Sequence, residues 1–505
     1  MNRMKRTMRK TLSLSLCLNK PARAVCAVSV MLGVAGCSVM PTYQRPAAPT
    51  PTAFKELQGW SQAAPADALE RGPWWNLFND PQLGALMQQV EVSNQNVAAA
   101  VAAYTQARAL VAEQRAALFP SLTLDASGQR SGSRGGGTVV NSNGTINSGG
   151  RAANSYRLSI GGSWEPDVWG RLRANVASAQ ASAEASAADL ASARLAAQGE
   201  LAADYFSLRS VDAQRALLAT TIEGYERLLK ITTNRFNVGI VPHSDVYQAE
   251  TQLASTRSDD LSLVTQRAQL EHAIAVLVGK TPADFAIAPL PVSGQSVAQA
   301  STQSTVFVPD VPTGVPSTLL ERRPDIAAAE REVAIANAQI GIARSAYFPN
   351  IGLTASYGAN GSNVANLFDV SSAVWALGLS ATQTLFNAGA TRAAVEAARA
   401  SHEAAVARYR QTVLTAFADV EDQLAATRVL VQQEEQRRIA SVAADKVEEQ
   451  VLNRYKAGQV SYSEVVQAQV TALSARRSLL QAQASRQTTA VALVQSLGGG
   501  WHVGQ

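Results

Sequence analysis

The 505-residue chain has only three cysteines and four histidines. Cys17, Cys26 and Cys37 all fall within the first 37 positions, so the remainder has no thiol for a disulfide or a cysteine-based metal site. His243, His272, His402 and His502 are scattered, and none belongs to an HExxH arrangement. No glycine loop for phosphate follows a strand: Gly135-Gly136-Gly137 sits in a polar stretch and Gly498-Gly499-Gly500 at the end of a helical pattern. Catalytic chemistry therefore has no constellation to work with, and neither an enzyme nor a cofactor is expected. After Cys37 there is also no window of 18 apolar residues, which excludes a membrane-spanning helix by hydropathy. Glycine and proline are missing where it matters most. From Ala390 to Ala457 there are 68 consecutive residues with neither, and Arg171 to Val238 contains only Gly199 and Gly224. At ~1.5 Å per residue such a helix runs roughly 100 Å. No single globular core is that deep, so helices of this length need lateral partners, as in coiled coils or helical barrels.

Acids are absent from the N-terminus. Residues 1–37 carry seven Lys or Arg and no Asp or Glu, followed by an apolar run from Ala24 to Gly36 that is too short to span a bilayer. This is the layout of a secretory signal. Removing its +7 from the formal +5 leaves a net charge of −2, from 37 bases and 39 acids in residues 38–505. The basic pI belongs to the targeting segment, and nucleic acid is not an expected partner. The segment ends Val34-Ala35-Gly36-Cys37, which resembles a bacterial lipoprotein cleavage box with Cys37 as the lipidated first residue.

What is present is present twice. Arg235, Gly239, Val241, Ser244, Asp245, Gln248 and Arg257 recur 219 positions later as Arg454, Gly458, Val460, Ser463, Glu464, Gln467 and Arg476. A second set recurs at an offset of 229, pairing Asn96-Val97 and Phe119-Pro120 with Asp325-Ile326 and Phe348-Pro349. One unit of some 200 residues is used twice.

Four segments alternate between apolar and polar residues. Tyr156, Leu158, Ile160, Gly162 and Trp164 share one face, and Trp375, Leu377, Leu379 and Ala381 share another; the stretches after Pro120 and Pro349 are weaker versions. Each is about ten residues, the length of a tilted membrane strand, with aromatics at the ends. Alternation of this kind also describes a half-buried soluble sheet. The stretches between them, 128–153 and 358–372, are polar loops. Between Ala174 and Asp204, 14 of 31 residues are Ala, which lets helix backbones approach closely.

Four strands cannot close a membrane barrel, which starts at about eight. Open edges in hydrocarbon would leave backbone groups unpaired at several kcal/mol each. Spanning strands would therefore be pooled between protomers; two copies give eight and three give twelve, and the count alone does not choose. The expected fold class is a mixed α/β membrane protein with four membrane strands and long periplasmic helices per protomer.

Several groups of residues then match one family. They are Cys37 with Pro41, Tyr43 and Pro46; Trp74-Trp75, Leu77-Phe78 and Asp80-Pro81; Trp164-Glu165 with Trp169-Gly170-Arg171; Leu320-Glu321-Arg322-Arg323-Pro324-Asp325-Ile326; and Leu385-Phe386 ahead of Gly389. Along nearly all of the mature chain the sequence resembles the outer membrane factors of tripartite efflux systems, in their lipoprotein branch. The resemblance implies a homotrimer with a twelve-stranded outer-membrane barrel continuous with a periplasmic α-helical barrel. It also implies a periplasmic adaptor protein, an inner-membrane pump of the RND type, and contact with outer-membrane lipid. The expected layout is a signal at 1–36, a lipidated segment at 37–95, a first repeat at 96–280 and a linker at 281–316. A second repeat at 317–500 and a tail at 501–505 follow. The hairpins fall at about 120–166 and 349–386.

By the same resemblance the helix-hairpin tips, about 235–246 and 454–465, meet the adaptor. That assigns Arg235, Gly239, Ser244 and Asp245, and Arg454, Gly458, Ser463 and Glu464, to adaptor contact. The residue types alone also fit helix termination at the glycines and helix initiation at Ser244/Asp245 and Ser463/Glu464. An acidic periplasmic gate is expected at Glu449, with Glu448 and Asp445 nearby; the bland reading is a solvated acidic stretch. A trimeric adhesin-type lipoprotein with a helical stalk is the alternative function.

Overall fold

The computed structural model describes residues 39–51, 53–56, 73–132, 139–140, 146–147, 152–289 and 322–499. The signal, Cys37, most of the linker and the C-terminal tail lie outside the described residues, as do Leu320 and Glu321. Seven α-helices are described: α1 (Pro81–Ser93), α2 (Gln95–Ala116), α3 (Arg171–Asn237), α4 (His243–Leu277), α5 (Pro324–Ser345), α6 (Ala390–Lys456) and α7 (Tyr462–Ser496). The strands are β1 (Ser121–Ser131), β2 (Val139–Val140), β3 (Ile146–Asn147), β4 (Ala153–Trp164), β5 (Asn350–Gly361) and β6 (Ala373–Thr382).

The duplication extends to the ends of the elements. α5 follows α2 by 229 positions at both termini, and α6 and α7 follow α3 and α4 by 219 at both termini. The offset changes by ten residues within the hairpins, where 21 residues separate β1 from β4 but only 11 separate β5 from β6. The longer loop holds a short β2–β3 ladder, pairing Val139 with Asn147 and Val140 with Ile146. Sequence pattern alone reads this stretch as a plain polar loop, because two residues on each side in a Gly/Ser/Asn-rich context are too few to give a period. Both loops are also trimmed by strand extension, since β1 runs on to Ser131 and β5 to Gly361.

The chain divides into two compact units: 1–43, 112–178 and 336–400; and 44–111, 179–335 and 401–505. The first contains a four-stranded antiparallel sheet in the order β1-β4-β5-β6. Its register aligns the apolar residues of all four strands on one face. Leu124 pairs with Ile160, Ile160 with Tyr357, and Tyr357 with Trp375. Two same-face rows over, Trp164 pairs with Leu353 and Leu353 with Leu379. The opposite face carries Thr123, Asp125, Arg157, Ser159, Thr354, Ser356 and Ser380. The apolar face is bare: Leu124, Trp375 and Leu377 are 71%, 74% and 77% exposed. A soluble sheet buries such a face, so the exposure of this one is the observation that favours a membrane setting.

At the helical end of the sheet the motif around Trp169 forms the strand-to-helix joint. The Asp167 carboxylate accepts from the backbone N–H of Leu172 (3.0 Å) and Arg173 (2.8 Å), capping α3. Arg171 grips Glu165 with one nitrogen on both carboxylate oxygens, at 2.6 and 2.7 Å. Trp169 stacks on Phe348 with centroids 4.7 Å apart and donates its indole N–H to the Pro349 carbonyl at 2.8 Å.

The second unit is helical. The Ala-rich part of α3 buries Ala181, Ala183, Ala185, Ala188 and Ala197, as close helix packing requires. Ahead of α1, Trp74, Trp75 and Phe78 form a buried aromatic turn. Trp74 donates to Gln198 (3.0 Å), and Phe78 packs on Phe206. Asp80 caps α1 through the N–H groups of Gln82 and Leu83, and its other oxygen accepts from the Tyr205 hydroxyl at 2.7 Å. Leu217, Leu218, Leu263 and Leu473 join residues of both repeats in one cluster. Arg323, from the most specific family motif, donates to Asp325, Asp419 and the Ser496 carbonyl. Among the described residues no helix is long and apolar enough to cross a membrane.

The sheet generates a paired prediction. Leu377→Arg, on the bare apolar face, costs about 2–4 kcal/mol of folding stability in a lipid bilayer, read from the denaturant midpoint in vesicles. Ala376→Arg, on the opposite face of the same strand, is expected to leave that midpoint nearly unchanged. Equal effects at the two positions would contradict a hydrocarbon-facing assignment.

Candidate functional site

Each long helix ends by the same device. At the first tip the Ile240 N–H donates to the Arg235 carbonyl (2.8 Å) and the Gly239 N–H to the Phe236 carbonyl (2.9 Å). At the second, Gln459 donates to Arg454 (2.9 Å) and Gly458 to Tyr455 (2.9 Å). This is the glycine-terminated Schellman pattern, which needs a left-handed residue. Gly239 and Gly458 supply it with φ of +78° and +73°. Nothing stands within 4 Å of a Cβ built on either glycine, so backbone conformation alone fixes these residues.

The next helices start differently from the expectation. α7 begins at Ser461, and Glu464 at its third position completes a capping box with it. Glu464 therefore helps to start α7, whereas Ser463 does not cap the helix and lies 2.8 Å from the Ser461 hydroxyl. The first tip has no side-chain cap: Pro242 occupies the capping position and leaves Ser244 outside it, with Asp245 adding an acidic group to the first turn of α4. Proline fixes the entry φ without offering a side-chain acceptor. Ser461 and Glu464 form an S-x-x-E pattern in the sequence that has no counterpart in the first repeat, where Pro242 stands at the equivalent position.

The structure brings the two tips together. The Arg235 guanidinium lies 4.8 Å from the centre of the Tyr455 ring and donates to the Tyr455 carbonyl at 3.2 Å. Tyr455 and Tyr462 pack at 5.4 Å in a cluster with Leu228, Ala249 and Val465. The Tyr455 hydroxyl is buried without a hydrogen-bond partner among the described residues. Burial pushes the Tyr462 hydroxyl well above the usual phenol range and that of Tyr225 up to about 12. At the positions equivalent to Tyr455 and Tyr462, the first tip carries Phe236 and His243, stacked at 4.4 Å, with His243 continuing onto exposed Tyr247. Arg454, the counterpart of Arg235, is exposed.

The three acidic residues divide. Asp445 and Glu448 both accept from Arg476, each at 2.8 Å, inside the second hairpin. The first hairpin repeats half of this, with Arg257 on Glu226 at 2.6 Å, each 219 positions before its counterpart. The sequence signal for this ion pair is that an acid (Glu226, Asp445) and an arginine (Arg257, Arg476) both recur at the offset of 219. Glu449 is exposed and makes no ion pair among the described residues. Burial, with the Asp445 charge adding to it, raises the Glu448 carboxyl above its ordinary value although Arg476 pulls it down.

These features sit in a duplicated chain, and the match to known proteins is duplicated too. The model of a family described as outer membrane efflux protein matches residues 86–280 and again 315–499. The chain belongs to this family. It is an outer-membrane efflux channel with a large periplasmic part, and the family's members are transport ducts rather than enzymes. The probable efflux pump outer membrane protein TtgC of Pseudomonas putida is 31% identical over 489 residues, 96% of each chain. The cation efflux system protein CusC of Escherichia coli K12 is 30% identical, covering 93% of this chain and 98% of CusC. The solved MtrE outer membrane channel of Neisseria gonorrhoeae is 29% identical with a TM-score of 0.79, covering 92% of this chain and 98% of that one. The mixed α/β, helix-dominated fold is that of such channels, and the stalk-like adhesin alternative finds no support.

The raised Glu448 carboxyl sets a pH dependence. A folded value above the unfolded one favours the protonated form, so this residue's penalty is absent below the ordinary value of 4.5 and grows as pH rises through the raised value. Glu448→Gln is expected to flatten the decline of the thermal midpoint from pH 4.5 upward. Arg476→Met is expected to cost about 1–3 kcal/mol by leaving two part-buried carboxylates unpaired. A wild-type pH profile retained by Glu448→Gln would contradict the assignment.

Proposed function

We propose that three copies of this chain pool their sheets into a twelve-stranded outer-membrane barrel joined to a periplasmic helical barrel. The assembly serves as the passive exit duct of a tripartite efflux pump. The observation that carries this reading is the four-stranded sheet with one face bare and apolar and with the outer edges of β1 and β6 unpaired among the described residues. Closure by neighbouring copies satisfies those edges in a medium without water. The polar face, with Asp125 and Arg157, then lines an aqueous lumen, and Arg157 donates to Asn360 across strands at 3.0 Å. Energy comes from an inner-membrane pump of the RND type, reached through a periplasmic adaptor, and Cys37 carries a lipid.

The adaptor meets the tips. Arg235, Gly239, Ser244 and Asp245 present the first, and Arg454, Gly458, Ser463 and Glu464 the second. Support comes from their exposed backbone turns and from open space around both glycines. The first tip is the more apolar, exposing Val238 and Ile240. Of the three acidic residues, Glu449 is the one available to a gate between protomers, because Asp445 and Glu448 are engaged by Arg476 within one protomer. Three such carboxylates converging on an axis repel one another when ionised and attract cations.

Planar-bilayer recording of the purified channel tests the gate. Glu449→Ala is expected to lengthen or enlarge openings and to weaken cation preference, whereas Ser463→Ala serves as a tip control without that effect. Conductance and selectivity identical to wild type in Glu449→Ala would remove Glu449 from the gate and leave the duct assignment standing.

A further inference from the structure

We propose that each protomer binds the headgroup of one anionic phospholipid of the periplasm-facing leaflet in a basic groove at the helical end of the sheet. The inference rests on the outer-membrane location of the chain. The groove, of about 550 Å³, lies between the end of α5, the first three turns of α6 and the N-terminal segment at Val39. Arg344, Arg392 and Arg399 line it. Glu396 is the one acid among the lining residues and is paired with Arg392 at 3.0 Å. Neither Arg344 nor Arg399 has an ion pair among the described residues. Counting the lining side chains, the groove carries two net positive charges, complementary to a phosphodiester.

Depth selects the ligand. Tyr347 and Phe348, which line the same groove, stand immediately before β5 and are 47% and 38% exposed. Phe119, Trp164 and the nearly bare Leu385 and Phe386 occur at the same end of the other three strands. Half-exposed aromatics at strand ends mark the headgroup level of a bilayer, where an arginine meets lipid phosphate rather than bulk water. Val39 enters the sheet-bearing unit by donating its N–H to the Trp169 carbonyl at 3.2 Å, only two residues after Cys37.

The internal repeat supplies a control. The counterparts of Arg344, Arg392 and Arg399 in the first repeat are Arg115, Arg173 and Gln180. Arg173 is held by Asp167 at 3.1 Å, as Arg392 is by Glu396, and Gln180 carries no charge. The third arginine thus belongs to the second repeat alone and is not a by-product of the shared architecture. The side chain of Val395 beneath it is buried, so the groove has an apolar floor between charged walls.

The test is native mass spectrometry of the full-length protein, delipidated in mild detergent and titrated with phosphatidylglycerol. One lipid per protomer is expected at saturation, with phosphatidylcholine of the same chain length binding more weakly. Arg344→Gln with Arg399→Gln is expected to weaken binding at least roughly tenfold, while Arg344→Lys with Arg399→Lys retains most of it. Arg399→Gln alone, which copies the glutamine of the first repeat, should fold and still show part of the loss. No phosphatidylglycerol adduct on wild type, equal binding by the double glutamine variant, or adducts with inorganic phosphate but not with lipid would each overturn the proposal. The protein mass in the same spectra reports the number of protomers, so failure of the trimer is distinguishable from failure of the lipid site.

Discussion

Everything in this chain follows from the need to pair backbone groups where no water is available. The sheet has one face too apolar and too exposed for an aqueous protein, and it stops at two open edges. In water each edge would be a liability for aggregation; in hydrocarbon each unpaired group costs several kcal/mol. On the proposed reading, a second and third copy supply the same edges. Assembly is then a condition of the fold, and a conduit is what such an assembly encloses.

Duplication supplies that architecture economically, then differentiates it. α3 and α6 both contain 67 residues and end in the same glycine turn, yet the residues packed against those turns differ. Tyr455 and Tyr462 are buried and receive Arg235 from the other tip, while Phe236 and His243 occupy the same positions as an outward stack. The acid–arginine pair also occurs twice, but only the second copy adds Glu448 and burial. One repeat therefore keeps the tips pinned together, and the other turns its aromatic side outward.

The periodic elements could be read from the sequence because nothing interrupts them. A helix without Gly or Pro over 68 positions leaves few alternatives, and the tip glycines announced both ends. The strands were legible by their alternation, though their meaning was not, because alternation within one strand cannot tell lipid from a neighbouring layer. The cross-strand register sets Leu124, Ile160, Tyr357 and Trp375 in one row, and the exposure of that face supports the hydrocarbon-facing reading. Side-chain partnerships were less accessible. Asp445 and Glu448 read as free acids because Arg476 lies 28 or more positions away, and Ser461 was hidden by Pro242 at its equivalent. The family motifs around Trp74 and Trp169 are caps with local partners and joints whose partners, Gln198, Tyr205 and Phe348, are remote in sequence.

Single-particle imaging with mass determination, on protein extracted from outer membranes in detergent, tests the central claim most directly. The account predicts a trimer whose twelve strands close one barrel, with β6 of each protomer paired to β1 of the next. A monomer, or an assembly in which those edges remain unpaired within the membrane, would contradict it.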